Sequence, residues 1–392
     1  MKKEDYKRLN DYLNDAFIYL SKYDGFFIQN MQSIFILNNM LYGKLNDIDL
    51  EHKFHKNNLT FEDVFELARS EIEKINPNYL EEFDRLIDSG CLEFFLHEQN
   101  MIIKGNTTYE KLSEIENNEE EIRNDSVCSY NNGDYFIDLA RTYNYNDVLT
   151  LIHEFIHSTN SSKNMGEYRY ILTEFFSIYF EMLSQKELLE NGINSSELDI
   201  FDRIKNTGKI SKEITEYDLV FISYNLFGNI KENSYKDLKK YHIVSSTKKE
   251  FECACVRLLK YFDYQKIQYN NESKEFNLYD YRKCISILFS SGYRYLLGTL
   301  FSCYLLENGN KDKIVWLNDH INDEKMKNMN LIDVLKMIDI DLTDENINEK
   351  LVESAQNYYE NLSKYSVKEE KKSLWHIMYN MLLYFWNQLR KT

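Results

Sequence analysis

The sequence predicts a mainly α-helical protein with a small β element. Three observations carry this. There is one proline, Pro77, and there are twelve glycines in 392 residues; breakers this sparse favour long helices over many short strands. Apolar residues recur at helical spacing through most of the chain. One segment, residues 135–141, alternates apolar and polar residues as a half-buried strand does.

Taken in order, residues 1 to 90 read as helices. Tyr12-Leu13, Phe17-Ile18 and Leu20 lie at helical spacing, and Phe61, Val64-Phe65 and Leu67-Ala68 repeat the pattern. Thr60 is a candidate cap for that second helix, with Asp63 three residues on. The charged stretch EIENNEEEIRND, residues 114–125, reads as an exposed loop or a solvated helix end. Asn132-Gly133 is a turn signal ahead of the strand, and Asn146 or Asp147 then offers an N-cap. From 165 to 265 the pattern is again helical, punctuated by Gly192 and by the NTG at 206–208. YNNES (269–273) and ENGNKDK (307–313) read as loops. Ser290-Ser291-Gly292 reads as a break in an aromatic-rich helical stretch, and an amphipathic helix is expected over 375–389. No repeat or linker marks a boundary. The weak division expected is a helical lobe over 1–120 and a second unit over 121–392, with one compact unit as the alternative.

Composition excludes several classes. The net charge of −17 argues against nucleic acid as a partner, which would call for a basic stripe. No run approaches the ~18 apolar residues of a membrane helix, and the Met1-Lys2-Lys3 start has no apolar stretch behind it. The six cysteines include no CxxC pair, so they read as thiols and the expected compartment is the cytoplasm.

The chemistry concentrates in His153-Glu154-Phe155-Ile156-His157. On a helix, positions i and i+4 share a face, so both imidazoles can address one metal ion. Glu154 can then act as the base that takes a proton from water. A chance match arises with a probability of roughly 3% in a chain of this composition, so the context has to decide. A third ligand must follow, and the candidates are Glu167, Glu174, Glu181, Glu187 and Glu190. Glu174, 17 residues after His157, allows one helix to end, turn and bring a second helix back. Glu181 lies seven residues further on the same face with Ser177 between them; it orients a histidine or pairs with a cation, or is an ordinary helix acid. Histidine and carboxylate ligands make one zinc ion the default metal.

The block NDVLTLIHEFIHS resembles the corresponding block of the M3 family of zinc oligopeptidases, which includes oligoendopeptidase F and thimet oligopeptidase. TEFFSIYFE resembles that family's second helix, and this resemblance implies Glu174 as third ligand. SVCSYNNGDYFIDLART resembles the segment whose edge strand lines the substrate cleft. SGYRYLLGTLFSCYLLENGN and LIDVLKMIDIDLTDENI resemble two later blocks. The similarity spans residues 125–355. It implies a zincin-type fold, a multi-helix metallopeptidase with a small sheet edge lining a deep cleft between helical lobes. It also implies that Tyr293 or Tyr295 donates to the oxyanion of the reaction, and that a peptide pairs with the strand carrying Phe136, Asp138 and Ala140.

The chain departs from the family in four places. Ile156 stands where the family has glycine, and the link to Glu174 is shorter. The histidine expected just after the motif is replaced by Ser158, Thr159 and Asn160, and the one expected upstream of the tyrosines falls near Ile285. The expected function is zinc-dependent hydrolysis of short or unfolded peptides. A relative that binds peptide without cutting it, and a specialised protease acting on one protein as a toxin or maturation enzyme, are the alternatives.

Overall fold

The computed structural model describes residues 1–21, 33–34, 37, 40–41, 59–96, 101–104, 108–111, 126–131, 134–140, 144–160, 169–193, 216–240, 247–272, 287–326 and 329–362. The fold is mainly helical, with one five-stranded sheet. Helix α1 (Lys3–Ser21) is followed by α2 (Phe61–Ile75), a 3-10 turn at Pro77–Tyr79 and α3 (Leu80–Asp88). Strands β1 (Leu92–Leu96), β2 (Met101–Lys104), β3 (Thr108–Lys111), β4 (Val127–Asn131) and β5 (Asp134–Ala140) come next. Then follow α4 (Asn146–Asn160), α5 (Arg169–Glu190), α6 (Glu216–Phe227), α7 (Ser234–Lys240), α8 (Lys248–Glu272), α9 (Ile287–Asn308), α10 (Lys311–His320), α11 (Leu331–Met337) and a helix over 347–362, α12.

Local chemistry explains most of these ends. Thr60 and Asp63 form a full capping box: Asp63 N donates to Thr60 Oγ1 at 3.1 Å and Thr60 N to Asp63 Oδ2 at 2.8 Å. Helix α5 stops at Gly192, whose φ of 92° favours glycine; Gly192 N bonds Leu189 O and Ile193 N bonds Leu188 O, satisfying two orphan carbonyls. Helix α4 starts differently from the expectation. Asn144, two residues before Asn146, accepts the Asn146 amide on its side-chain oxygen at 2.7 Å.

Two expected breaks are absent and a third is shorter than expected. Helix α9 runs unbroken from Ile287 through Ser290-Ser291-Gly292. Helix α8 continues to Glu272, through most of YNNES. ENGNKDK shrinks to Gly309-Asn310, because Asn310 caps α10 by accepting the amides of Asp312 and Lys313. Polar residues at a helix surface keep their backbone bonds, so composition alone overstates loops. The 114–125 stretch, Asn132-Gly133, Glu167, the NTG at 206–208, Cys284, Ile285 and the helix over 375–389 lie outside the described residues.

The sheet order is β3-β2-β1-β5-β4, with β1 and β5 parallel and the other neighbours antiparallel. Strand β5 is therefore internal, with β1 on one side and β4 on the other. Ile137 and Leu139 enter the core from one face, which leaves Phe136 and Asp138 on the other.

The sheet takes strands from both sides of residue 120, and one hydrophobic cluster includes residues from Leu9 to Leu362. Helix α1 packs on α8: Tyr12 and Phe262 lie with ring centroids 5.3 Å apart, and Tyr12 donates to Asp263 at 2.9 Å. Among the described residues, the first 120 thus contribute three strands to that sheet. Among the described residues, no helix is long and apolar enough to cross a membrane.

Candidate metal centre

Helix α4 carries His153, Glu154 and His157, and its other sides are buried. Phe155 meets Phe83 edge-on at 5.2 Å. Ile156 is fully buried in the core, where it packs with its apolar neighbours. The helix is thereby clamped on its apolar faces, which leaves the two imidazoles to project together. Their rings stand 4.9 Å apart at 81°.

Helix α5 returns alongside and brings Glu174 between them. Glu174 Oε2 lies 3.7 Å from both His153 Nε2 and His157 Nε2. One ligand atom from each of the three residues falls within 4.8 Å of the others, so the group could hold a metal ion. A tetrahedral zinc with bonds near 2.0–2.1 Å spaces its ligand atoms about 3.4 Å apart, close to what is seen. Glu174 Oε2 is also buried without a hydrogen-bond partner among the described residues. A buried unpaired carboxylate oxygen is costly, and a cation at this point would satisfy it. The donor set suits zinc.

The neighbours set the protonation this chemistry needs. His153 Nδ1 is 2.9 Å from Glu181 Oε2. An N–H on that side leaves the Nε2 lone pair facing the site, a common device for orienting a metal-binding histidine. Burial, then the charges of His153 and Arg294, outweigh the pull of Glu174 and lower the His157 pKa to about 4. Burial pushes Glu174 up, but His153, His157 and Arg294 more than offset this and hold it well below the usual carboxylate range. At neutral pH, His157 and Glu174 are in the forms that bind metals.

The other expected site residues divide. Glu154 is buried beside His153 and close enough to the half-buried Cys128 thiol of β4 to help burial raise it to about 12. Tyr295 is 37% exposed and senses the charges of Glu174 and Glu154, whereas Tyr293 is only 2% exposed and belongs to the core. An unbroken helix sends residues two apart to different sides, and Tyr295 is the more exposed of the two. Ser177 is fully buried, its hydroxyl without a partner among the described residues, so it does not orient the histidines. The expectation that peptide adds to the strand of Phe136, Asp138 and Ala140 is corrected: β5 has both edges occupied, and β4 is the edge strand nearest Glu154.

Sequence reasoning missed Arg294. Its Nε lies 3.4 Å from Glu174 Oε1, and its guanidinium carbon sits 5.0 Å from the centroid of the Tyr295 ring. It stands between the two tyrosines of the motif, and that position was the available signal. A separate cavity of about 350 Å³, lined in part by Lys186, Cys303, Glu307, Ser354 and Tyr358, lies at the other ends of α5 and α9.

No protein-family profile matches the sequence, and no curated protein matches it. The fold is similar to the crystal structure of a "putative peptidase" from Chlamydophila abortus, with a TM-score of 0.42 and 14% identity. That match covers 93% of this chain but 56% of the other, so this chain spans little more than half that protein's length. Likeness at this level leaves the site to be read from its own geometry.

Proposed function

We propose that this chain is a zinc metallopeptidase of the M3 oligopeptidase type, hydrolysing internal bonds of short or unfolded peptides. The observation that carries this reading is the meeting of His153, His157 and Glu174 around an unsatisfied carboxylate oxygen, with Glu154 beside them. The blocks that resemble the M3 family support it.

A bound zinc ion supplies a Lewis acid for the scissile carbonyl and makes water acidic enough to lose a proton near neutral pH. Glu154 accepts that proton and passes it to the leaving amine as the carbon–nitrogen bond breaks. The Tyr295 hydroxyl donates to the oxygen that gains charge as the carbonyl becomes tetrahedral. Glu181 keeps His153 in one tautomer throughout. The outer edge of β4 receives the peptide as an added strand. Backbone pairing suits cleavage that tolerates many sequences.

Metal analysis of the purified protein and a quenched-peptide library test the reading together. Glu154→Gln is expected to retain about one zinc per chain, while cleavage falls by about 10²–10⁴-fold. A Glu154→Gln protein that turns over peptides like the wild type sinks the mechanism. Zinc bound with no cleavage of any peptide, by wild type or variant, favours a protein that binds peptides without cutting them.

A further inference from the structure

We infer that Arg294 is a positioning residue for Glu174, holding one carboxylate oxygen so that the other alone serves the metal. The inference rests on the metal reading above and adds a residue that the HExxH logic does not supply. The two oxygens of Glu174 have different neighbours. Oε1 is 3.4 Å from Arg294 Nε, and Oε2 is 3.7 Å from both histidine Nε2 atoms. A carboxylate with both oxygens free can ligate through two atoms and fill the position that a hydrolytic site keeps open. The guanidinium competes for the first oxygen and leaves that position for water.

Three features hold Arg294 in place. Helix α9 is unbroken through it, so its backbone is rigid. Its guanidinium lies over the Tyr295 ring, a favourable cation–π arrangement, and Nη2 is 3.4 Å from the Tyr295 hydroxyl. One turn later, Gly298 lets α9 approach α5 closely: a Cβ there would stand 3.4 Å from the Phe175 backbone, next to Glu174. Arg294 thereby joins the ligand on one helix to the tyrosine on the other. The contact with Glu174 is an ion pair, without hydrogen-bond geometry at Nε among the described residues, while the flat guanidinium can also stack on the tyrosine ring as lysine's ammonium would not.

The test compares wild type, Arg294→Met, Arg294→Gln and Arg294→Lys. Zinc affinity is measured by competition with a chromophoric chelator, and coordination by the visible absorption of the cobalt(II)-loaded proteins. The neutral variants are expected to change zinc affinity by 10–100-fold. Their cobalt bands should lose intensity as the second Glu174 oxygen joins the metal, with Arg294→Lys intermediate. The melting temperature of each metal-free variant identifies folded protein, and Arg294→Gln carries the test if Arg294→Met does not fold. Folded neutral variants with wild-type zinc affinity and an unchanged cobalt spectrum overturn the inference while leaving the metallopeptidase reading intact. A wild-type protein that binds no zinc overturns both.

Discussion

His153 shows how one side chain is made into a ligand. Its Nδ1 is tied to Glu181, its ring is fixed on a buried helix, and only Nε2 is left to address Glu174. The pairing of His153 and His157 was legible in the sequence, because i and i+4 positions must share a helix face; Glu174, on the next helix, had to be chosen among five glutamates by the length of the return and by resemblance. The choice between Tyr293 and Tyr295 was not, because it depends on which face of α9 is buried. The structure buries Tyr293 and exposes Tyr295, which feels the charges of Glu174 and Glu154. Tyr295→Phe should therefore lower kcat by about 10²–10³-fold, as loss of an oxyanion donor does, with zinc still bound. Tyr293→Phe should affect stability more than kcat. Steady-state kinetics on one quenched peptide separates the two, and equal kcat losses would remove the special role of Tyr295.

Helices α5 and α9 form the element that assembles the site, since each carries half of the Glu174–Arg294 pair. Their close approach depends on Gly298. A Cβ there would come within 2.8 Å of Ile178 Cδ1 and 3.4 Å of the Phe175 backbone. Ile178 Cδ1 ends a flexible side chain and can move, while the Phe175 backbone cannot. Gly298→Ala should hence be close to neutral, because the gain in helix propensity of roughly 1 kcal/mol offsets the rearranged isoleucine. Gly298→Val adds methyl groups to a packed interface and should cost about 1–3 kcal/mol. It should also weaken peptide cleavage by parting Arg294 from Glu174. Thermal melts and kcat/KM check both variants; a valine variant as stable and active as wild type would show that the helices are not held this way. The sequence shows the glycine, but its purpose appears only where a second helix passes it.

The whole molecule is joined by a buried polar cluster behind the metal helix. Asn318 of α10 is fully buried; it accepts from Asn160 Nδ2 at 3.0 Å and donates to the Tyr79 hydroxyl at 2.7 Å and to Thr159 Oγ1 at 3.0 Å. It ties the end of α4 to the 3-10 turn before α3, some 240 residues away in sequence from Asn318 itself. Replacing it with leucine would remove three hydrogen bonds and strip the buried Asn160 Nδ2 of the partner seen here, at about 1–3 kcal/mol, while the Tyr79 hydroxyl keeps Asp319 and the Thr159 hydroxyl keeps Ile156 O. Asn318→Leu should lower the melting temperature by several degrees and make the position of α4, and with it zinc affinity, less well defined. Unchanged melting and zinc binding would show that the cluster does not anchor the site. No motif announces this cluster, since its members are dispersed asparagines, a threonine and a tyrosine.

The sequence by itself determined the helical class, the capping box at Thr60, the strand before the motif and the shared helix face of His153 and His157. Each follows from local periodicity or from spacing along one helix, which the backbone imposes without help from distant residues. Tertiary structure decided that β5 is internal and β4 is an edge, that α9 runs through its serines and glycine, and that Tyr293 is buried while Tyr295 is exposed. It also brought Arg294 to Glu174. Those outcomes depend on which faces are covered by segments more than a hundred residues away or by a neighbouring strand. That is a matter of packing, which a pattern along the chain does not encode.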